Sequence, residues 1–371
     1  MPAMNDELKY RIAFASIRGM GVDLARKILE VIPSEKEFFM LSERELKSVT
    51  QSRSRVTERA YRQACLERAE HELEFVAKSG IKVTYFTDDD YPYRLLEASD
   101  APLLLYSLGD GVLNAQHVVS VVGTRHATAY GRRVVDDLIS DLATKLPGTL
   151  IVSGLAYGID IAAHRASLHH GLPTAAVMAR GLNHIYPAVH RQDAVDIARS
   201  HGVLLTDYSS QDELHRGNFL ARNRIIAGLA DCTVVVESAA KGGALVTASI
   251  AQSYNRDVLT FPGRVNDEFS CGCNRLIRTN QAQAITCADD LLEAMRWEAT
   301  AAPAKQLELF PELSADEQAV IDLLRERGEM HINDIATALD RPIFRLMATL
   351  VSLDCNGMVL TLPGCRYSAA R

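Results

Sequence analysis

A chain of 371 residues, 47% of them hydrophobic, has room for two or three domains and enough apolar side chains for a full core, which excludes wholesale disorder. No apolar run approaches the ~20 residues of a membrane span, the stretch Met1-Pro-Ala-Met-Asn-Asp-Glu-Leu-Lys9 is not an apolar signal segment, and seven cysteines point to reduced thiols in a cytoplasmic protein. The net charge of −7 excludes a blanket nucleic-acid binder; because residues 120–280 carry 16 Lys and Arg against 14 Asp and Glu, and residues 281–371 carry 8 against 14, any anion site belongs in the middle of the chain.

Residues 1–80 read as a helical domain. Ile12, Ile17, Val22, Leu24, Ile28, Leu29 and Val31 recur at helical spacing, and Gly19-Met-Gly21 divides them into two helices. Such a helix–Gly-x-Gly–helix unit fits a hairpin on a DNA backbone or, the use favoured for so short a motif, a turn between core helices. Residues 55–79 make one long charged helix ended by Gly80. Residues 81–117 form a connector with strand patterns at 81–86 and 101–106, separated by the turn cluster Asp88-Asp-Asp-Tyr-Pro92, whose carboxylates suit solvent better than a metal.

Residues 118–298 alternate short Val-, Ile-, Leu- and Ala-rich runs with helical stretches. Strands are expected at 118–123, 150–154, 174–180, 203–207, 232–237 and 257–262, the pattern of an α/β, Rossmann-like, doubly wound parallel sheet. Residues 299–312 lack periodicity and read as a linker. Residues 313–371 read as a small winged-helix domain. Ser314 and Glu317 form a capping box, helices follow near 332–339 and 342–356, and 359–367 is a hairpin. Its reader helix offers only Arg341 and Arg345 in acidic surroundings, which favours a protein contact or packing role over groove reading.

The stretch Val118-Val-Ser-Val-Val-Gly-Thr-Arg125 is a buried strand that stops at a glycine turn and is expected to run straight into a helix. In a parallel sheet that is where ligands sit, and backbone N–H groups with Arg125 suit a phosphate. Glycine turns recur at Gly154, at Lys241-Gly242-Gly243, at Gly263 and at Gly272-Cys-Asn274-Arg275, so a shallow trough for a polymer is expected rather than one deep pocket. Gly123, Thr124, Arg125, Gly154, Arg222, Arg224, Lys241, Gly242, Gly243, Gly272, Asn274 and Arg275 are the candidate contacts. Arg125 and Lys241 are the first choices for phosphates. Arg222 and Arg224, at the expected start of a helix, fit phosphate contacts and a buried structural pair equally. Phe219 and Phe261 could stack a base, with core packing favoured for both.

Other chemistry fits poorly. Gly123-Thr-Arg-His-Ala-Thr is not the G-x-G-x-x-G of a dinucleotide site, and Lys241 precedes its glycines where a P-loop has Lys after them, so no cofactor is expected. Nine of the eleven histidines fall between 117 and 215 without metal-ligand spacing and read as surface residues; Cys271-Gly-Cys273 lacks a second pair.

Five motifs in order carry a resemblance: Val122-Gly-Thr-Arg125 with Tyr130-Gly131; Val152-Ser-Gly-Leu-Ala-Tyr-Gly-Ile-Asp160 running to Ala163-His164; Arg222-Asn-Arg-Ile-Ile-Ala-Gly228; Lys241-Gly-Gly-Ala-Leu-Val-Thr247; and Phe261-Pro-Gly263 with Gly272-Cys-Asn-Arg-Leu-Ile277. Over about residues 10–290 the chain resembles the DNA-processing protein A (DprA/Smf) family. The resemblance implies an extended Rossmann domain that binds single-stranded DNA without catalysis, usually as a dimer. It implies protection of incoming strands and loading of the RecA recombinase in natural transformation, with a SAM-like or helix-hairpin-helix extension before the core and a winged helix after it. Thr124 and Gly242 stand where the family commonly has Ser, and the 181–191 loop departs from the usual pattern. The competing expectation is a nucleotide-processing enzyme of the phosphoribohydrolase type, with Glu237 before the Lys241 loop; the Gly-Thr pair of that enzyme loop is missing.

Overall fold

The computed structural model describes residues 2–50, 55–300, 314–355 and 357–370. It divides into two compact units, Met1–Ala302 and Pro303–Arg371. The first opens with α1 (Pro2–Ala15), α2 (Val22–Leu29), α3 (Glu35–Met40) and α4 (Glu43–Thr50), then a single turn at Arg55–Thr57 and the long α5 (Arg59–Ser79). α5 ends at Gly80, whose φ of 64° is the left-handed conformation that costs glycine least. These helices are not a free-standing layer. Ile12 and Phe14 of α1, and Ile17 just after it, share one apolar core with Leu104, Leu105 and Tyr106 of the sheet.

The sheet follows as β1 (Lys82–Tyr85), α6 (Tyr93–Leu96), β2 (Leu104–Leu108), β3 (Val118–Val122), α7 (Ala129–Lys145), β4 (Leu150–Ser153), α8 (Ile159–His170), β5 (Thr174–Val177), α9 (Arg191–Arg199) and β6 (Val203–Thr206). It continues through α10 (Arg216–Leu229), β7 (Cys232–Val235), α11 (Gly243–Ser253), β8 (Asp257–Thr260), α12 (Cys271–Arg278), β9 (Gln283–Ala284) and α13 (Ala288–Met295). Its nine strands lie in the order β1-β2-β6-β5-β4-β3-β7-β8-β9. The pairs from β6 to β9 are parallel, and β2 and β1 add an antiparallel edge. All six expected parallel strands are present, each ending one to three residues early. Of the extra residues, apolar ones such as Met178, Ala179, Val236 and Phe261 leave the ladder but stay buried, so hydrophobicity alone does not mark the last paired residue.

β3 shows why such strands read as unbroken apolar runs. Val118 and Val122 face the core shared with α10, α11 and the N-terminal helices, while Val119 and Val121 face the α7–α8–α13 layer. From β3 the chain winds through β4 and β5 to β6, then returns along α10 and adds β7 and β8 on the other side of β3. The order therefore reverses between β3 and β7, which opens a crevice above their carboxyl ends.

Helix starts are less faithful to expectation. Arg222 does not begin a helix; α10 starts at Arg216, and its opening Arg-Gly-Asn, with Arg216 and Gly217 exposed, has no apolar periodicity to announce it. His164 and His190 are buried, at 0% and 4% exposure, and so are not surface residues as expected. Their ring nitrogens bond Thr174 and the Leu155 main chain, which satisfies polar groups that burial would otherwise strand. The 299–312 linker lies outside the described residues except at 299 and 300. Among the described residues no helix is long and apolar enough to cross a membrane.

The second unit contains α14 (Ala315–Arg327), β10 (Met330–His331), α15 (Ile332–Ala338), α16 (Ile343–Cys355), β11 (Val359–Leu362) and β12 (Arg366–Ala369). Ser314 and Glu317 form the expected capping box. The strands make an antiparallel sheet in the order β10-β12-β11 over a core of Leu324, Ile335, Leu346, Leu350 and Leu353. The opposite side of α16 exposes Ile343, Phe344, Met347 and Val351.

Candidate nucleic-acid interface

A cleft of about 790 Å3 opens over the carboxyl ends of β3 and β7, at the strand-order reversal. One wall is the turn Gly123–His126, and the other is the Ser238–Ala244 loop with the start of α11. α10 contributes Arg216, Phe219, Leu220 and Asn223, the loop after β5 contributes Tyr186, and Asp160 and Arg222 lie beneath.

The Gly123 turn is fixed by main-chain bonds. Thr124 N–H donates to the Glu237 carbonyl at 2.7 Å, Ile159 N–H donates to the Thr124 carbonyl at 3.1 Å, and His126 N–H donates to Thr124 Oγ1 at 3.1 Å. Gly158, with φ of 80°, lets α8 come up against this turn: a Cβ there would lie 2.6 Å from the Arg125 carbonyl carbon. The turn leaves Arg125 exposed, with its guanidinium 5.4 Å from the Phe219 ring centroid.

No helix follows directly. Residues 123–128 form a loop, because the chain must climb from the sheet to the layer above it, and α7 begins at Ala129. Thr128 caps α7 by accepting from Gly131 N–H, and donates its own N–H and O–H to the buried Glu237 carboxylate at 2.9 and 2.6 Å. The open helix start in the cleft is that of α11, where Gly242 is the N-cap with no side-chain cap and Gly243 follows. Lys241 stands exposed just before it. Uncapped N–H groups beside a cation suit an anionic oxygen.

The floor is the buried guanidinium of Arg222, with the buried Asp160 as an opposite charge nearby. The Arg222 guanidinium donates to the carbonyls of Gly154, at 2.7 Å, and Val177. Gly154 is glycine for an internal reason, since its Cβ would lie 2.5 Å from Arg222 Cζ. Burial lowers the Arg222 pKa to about 10 with Asp160 opposing the shift, and burial raises Asp160 with Arg222 opposing it. Arg222 thus ties the ends of β4 and β5 together under the cleft.

The other predicted residues fall elsewhere. Arg224 pairs with Asp207 and the Asp100 carbonyl, outside the cleft lining. Gly272 packs against the Ser238 and Ala239 carbonyls, and Asn274 exchanges hydrogen bonds with Gly263 at 3.2 and 3.0 Å, so both brace the loops behind the wall. Arg275 is exposed on α12 but does not line the cleft. Phe261 is core, as expected. Phe219 is not: it lies half-buried on the cleft wall, 5.4 Å from the Tyr186 ring. Sequence reasoning missed Arg216 and Tyr186. The i, i+3 spacing of Arg216 and Phe219 was the available signal, hidden by the misplaced helix start.

A family described as DNA recombination-mediator protein A matches residues 82–296, more than half of the chain. The putative DNA processing protein DprA of Mycobacterium tuberculosis H37Rv is 36% identical over 311 residues, covering 79% of this chain and 78% of the relative. Protein Smf of Escherichia coli K12 is 33% identical over 282 residues, 74% of each. Among solved structures, DNA processing protein A of Streptococcus pneumoniae aligns with a TM-score of 0.64 at 30% identity, over 77% of this chain and 97% of that one. That of Helicobacter pylori, described as having a unique single-stranded DNA binding mode, aligns with a TM-score of 0.52 at 28% identity, over 58% and 95%. With more than half of the chain matched by the family and relatives at 33–36% identity over about three quarters of their length, the chain belongs to the DNA recombination-mediator protein A family.

Proposed function

We propose that the cleft holds a single DNA strand without turning it over, and that the chain protects such strands and helps load RecA onto them, as a cytoplasmic homodimer. The carrying observation is the ring of exposed cations, Arg125, Arg216 and Lys241, around a glycine-walled cleft that also presents Tyr186 and Phe219. Cations take phosphates without regard to sequence, and aromatic faces take any base. The single-stranded DNA binding described for the Helicobacter pylori relative supports the same ligand here.

Gly123, Thr124, Arg125, Lys241, Gly242 and Gly243 then form the contact surface, joined by Arg216 and Phe219, while Gly154, Arg222, Gly272 and Asn274 shape it from behind. The phosphoribohydrolase alternative needs a carboxylate that can reach a substrate. Glu237 is 3% exposed, and its oxygens accept from Thr128. The second unit reads best as a winged helix (313–371) that meets protein, because α16 presents Phe344, Met347 and Val351 where a groove reader carries cations.

The test is titration of labelled single- and double-stranded oligonucleotides into the full chain at two salt concentrations, with and without RecA. Salt-sensitive preference for single strands, lost in Arg125→Ala/Lys241→Ala, is the expected outcome. Full binding by that double variant overturns the site, and release of free base from a nucleotide restores the enzyme alternative.

A further inference from the structure

We propose that Glu237 is a positioning residue whose main chain and carboxylate hold the two ends of the 123–128 loop, setting Arg125 for its phosphate. The inference rests on the cleft being a strand-binding groove. β7 ends at Val235, but Val236 N–H still donates to the Val122 carbonyl at 3.1 Å, which carries Glu237 alongside Gly123. From there the residue reaches both ways. Its carbonyl accepts Thr124 N–H at 2.7 Å, and its carboxylate accepts Thr128 N–H at 2.9 Å and Thr128 O–H at 2.6 Å.

The chemistry of this clamp is directional. A carboxylate only accepts, so both Thr128 donors must point at it, and a lone pair of Thr128 Oγ1 is left for Gly131 N–H at 3.2 Å. At the other end Thr124 Oγ1 accepts His126 N–H. The N–H groups of 124 and 128 are therefore committed to Glu237 and that of 126 to Thr124 Oγ1, and the Arg125 side chain is what the loop projects. Space has been cleared for the clamp: a Cβ at Gly131 would lie 2.5 Å from Glu237 Cδ. Glu237 is 3% exposed, and among the described residues no Lys or Arg forms an ion pair with it. A buried carboxylate held only by hydrogen bonds is costly to keep. Ordering the Arg125 loop before the strand arrives is the return, since that ordering no longer has to be met from the binding energy.

The test uses the full chain and a short oligothymidylate. Glu237→Ala is expected to weaken binding by roughly tenfold, the share of hydrogen bonds to a charged group. Arg125→Ala should add little to that loss, whereas Lys241→Ala should add its full effect. Glu237→Gln should restore most of the affinity, because its amide oxygen still accepts Thr128 N–H and its nitrogen can donate to Thr128 Oγ1. Amide hydrogen exchange at Thr124, His126 and Thr128 should speed up in Glu237→Ala and return towards wild type in Glu237→Gln. If Glu237→Ala does not fold, Gly131→Ala displaces the carboxylate without removing it and should give the same losses. Wild-type affinity in Glu237→Ala or in Gly131→Ala, full additivity with Arg125→Ala, or a Glu237→Gln as weak as Glu237→Ala overturns the clamp. A wild-type chain that binds no single strands overturns the groove instead, and unchanged exchange at the three amides then overturns the clamp on its own.

Discussion

The salt dependence of single-strand binding can be worked out from the cleft. Arg125, Arg216 and Lys241 are its exposed cations. Each phosphate neutralised on a single strand releases counterions and contributes about −0.7 to the slope of log K against log salt, so three contacts give about −2. Raising salt from about 50 to 200 mM should then weaken binding roughly 20-fold. Arg125→Ala should reduce the slope to about −1.4 and that loss to roughly sevenfold, and the variant also forfeits the cation over the Phe219 ring. Arg224→Ala is the internal control: its guanidinium is engaged by Asp207 and the Asp100 carbonyl, so the slope should not move. Fluorescence anisotropy with an oligonucleotide short enough to occupy one cleft reads both quantities. A wild-type slope near zero, or a slope that survives removal of all three cations, refutes the counting.

Three more outcomes follow from the geometry. Phe219→Ala should weaken binding by about 1–3 kcal/mol per stacked base with little change in salt slope; an altered slope with unchanged low-salt affinity would reverse its assigned role. Gly158→Ala combines a backbone conformation that side chains rarely adopt with overlap onto the Thr124–Arg125 turn, and should destabilise the first unit by roughly 2–5 kcal/mol in urea unfolding; an unmoved midpoint would show that the turn yields. His164 is held neutral by burial, which lowers its pKa from 6.5 to about 3. The unfolded chain binds that proton first, so stability should fall as pH drops below 6.5, by about 2 kcal/mol between pH 7 and 5. His164→Gln should lack this component of the pH profile, and parallel profiles would refute the assignment.

Much of the fold was legible because strands buried on both faces leave continuous apolar runs, and the glycine turns that end them are chemically distinct. That was enough for the six parallel strands and for Arg125, Lys241, Gly242 and Gly243 on one cleft. The helix starts were less legible. The first turn of α10 is polar and exposed, so nothing periodic marks it, and with it went the pairing of Arg216 with Phe219. The burial of His164 and His190 was hidden for a related reason: their partners, Thr174 and the Leu155 main chain, come from different elements.

Local pattern therefore determined the alternation of strand and helix, the turns, and the family resemblance, because periodicity and glycine chemistry act over a few neighbouring residues. Tertiary structure decided which cations face a ligand and which face the protein. Arg222 and Arg224 are two residues apart on one helix and alike in sequence, yet one braces the cleft floor from beneath and the other pairs with Asp207 outside it. The difference lies in which carbonyls and carboxylates the sheet brings within reach of each guanidinium, and those come from residues remote in the chain.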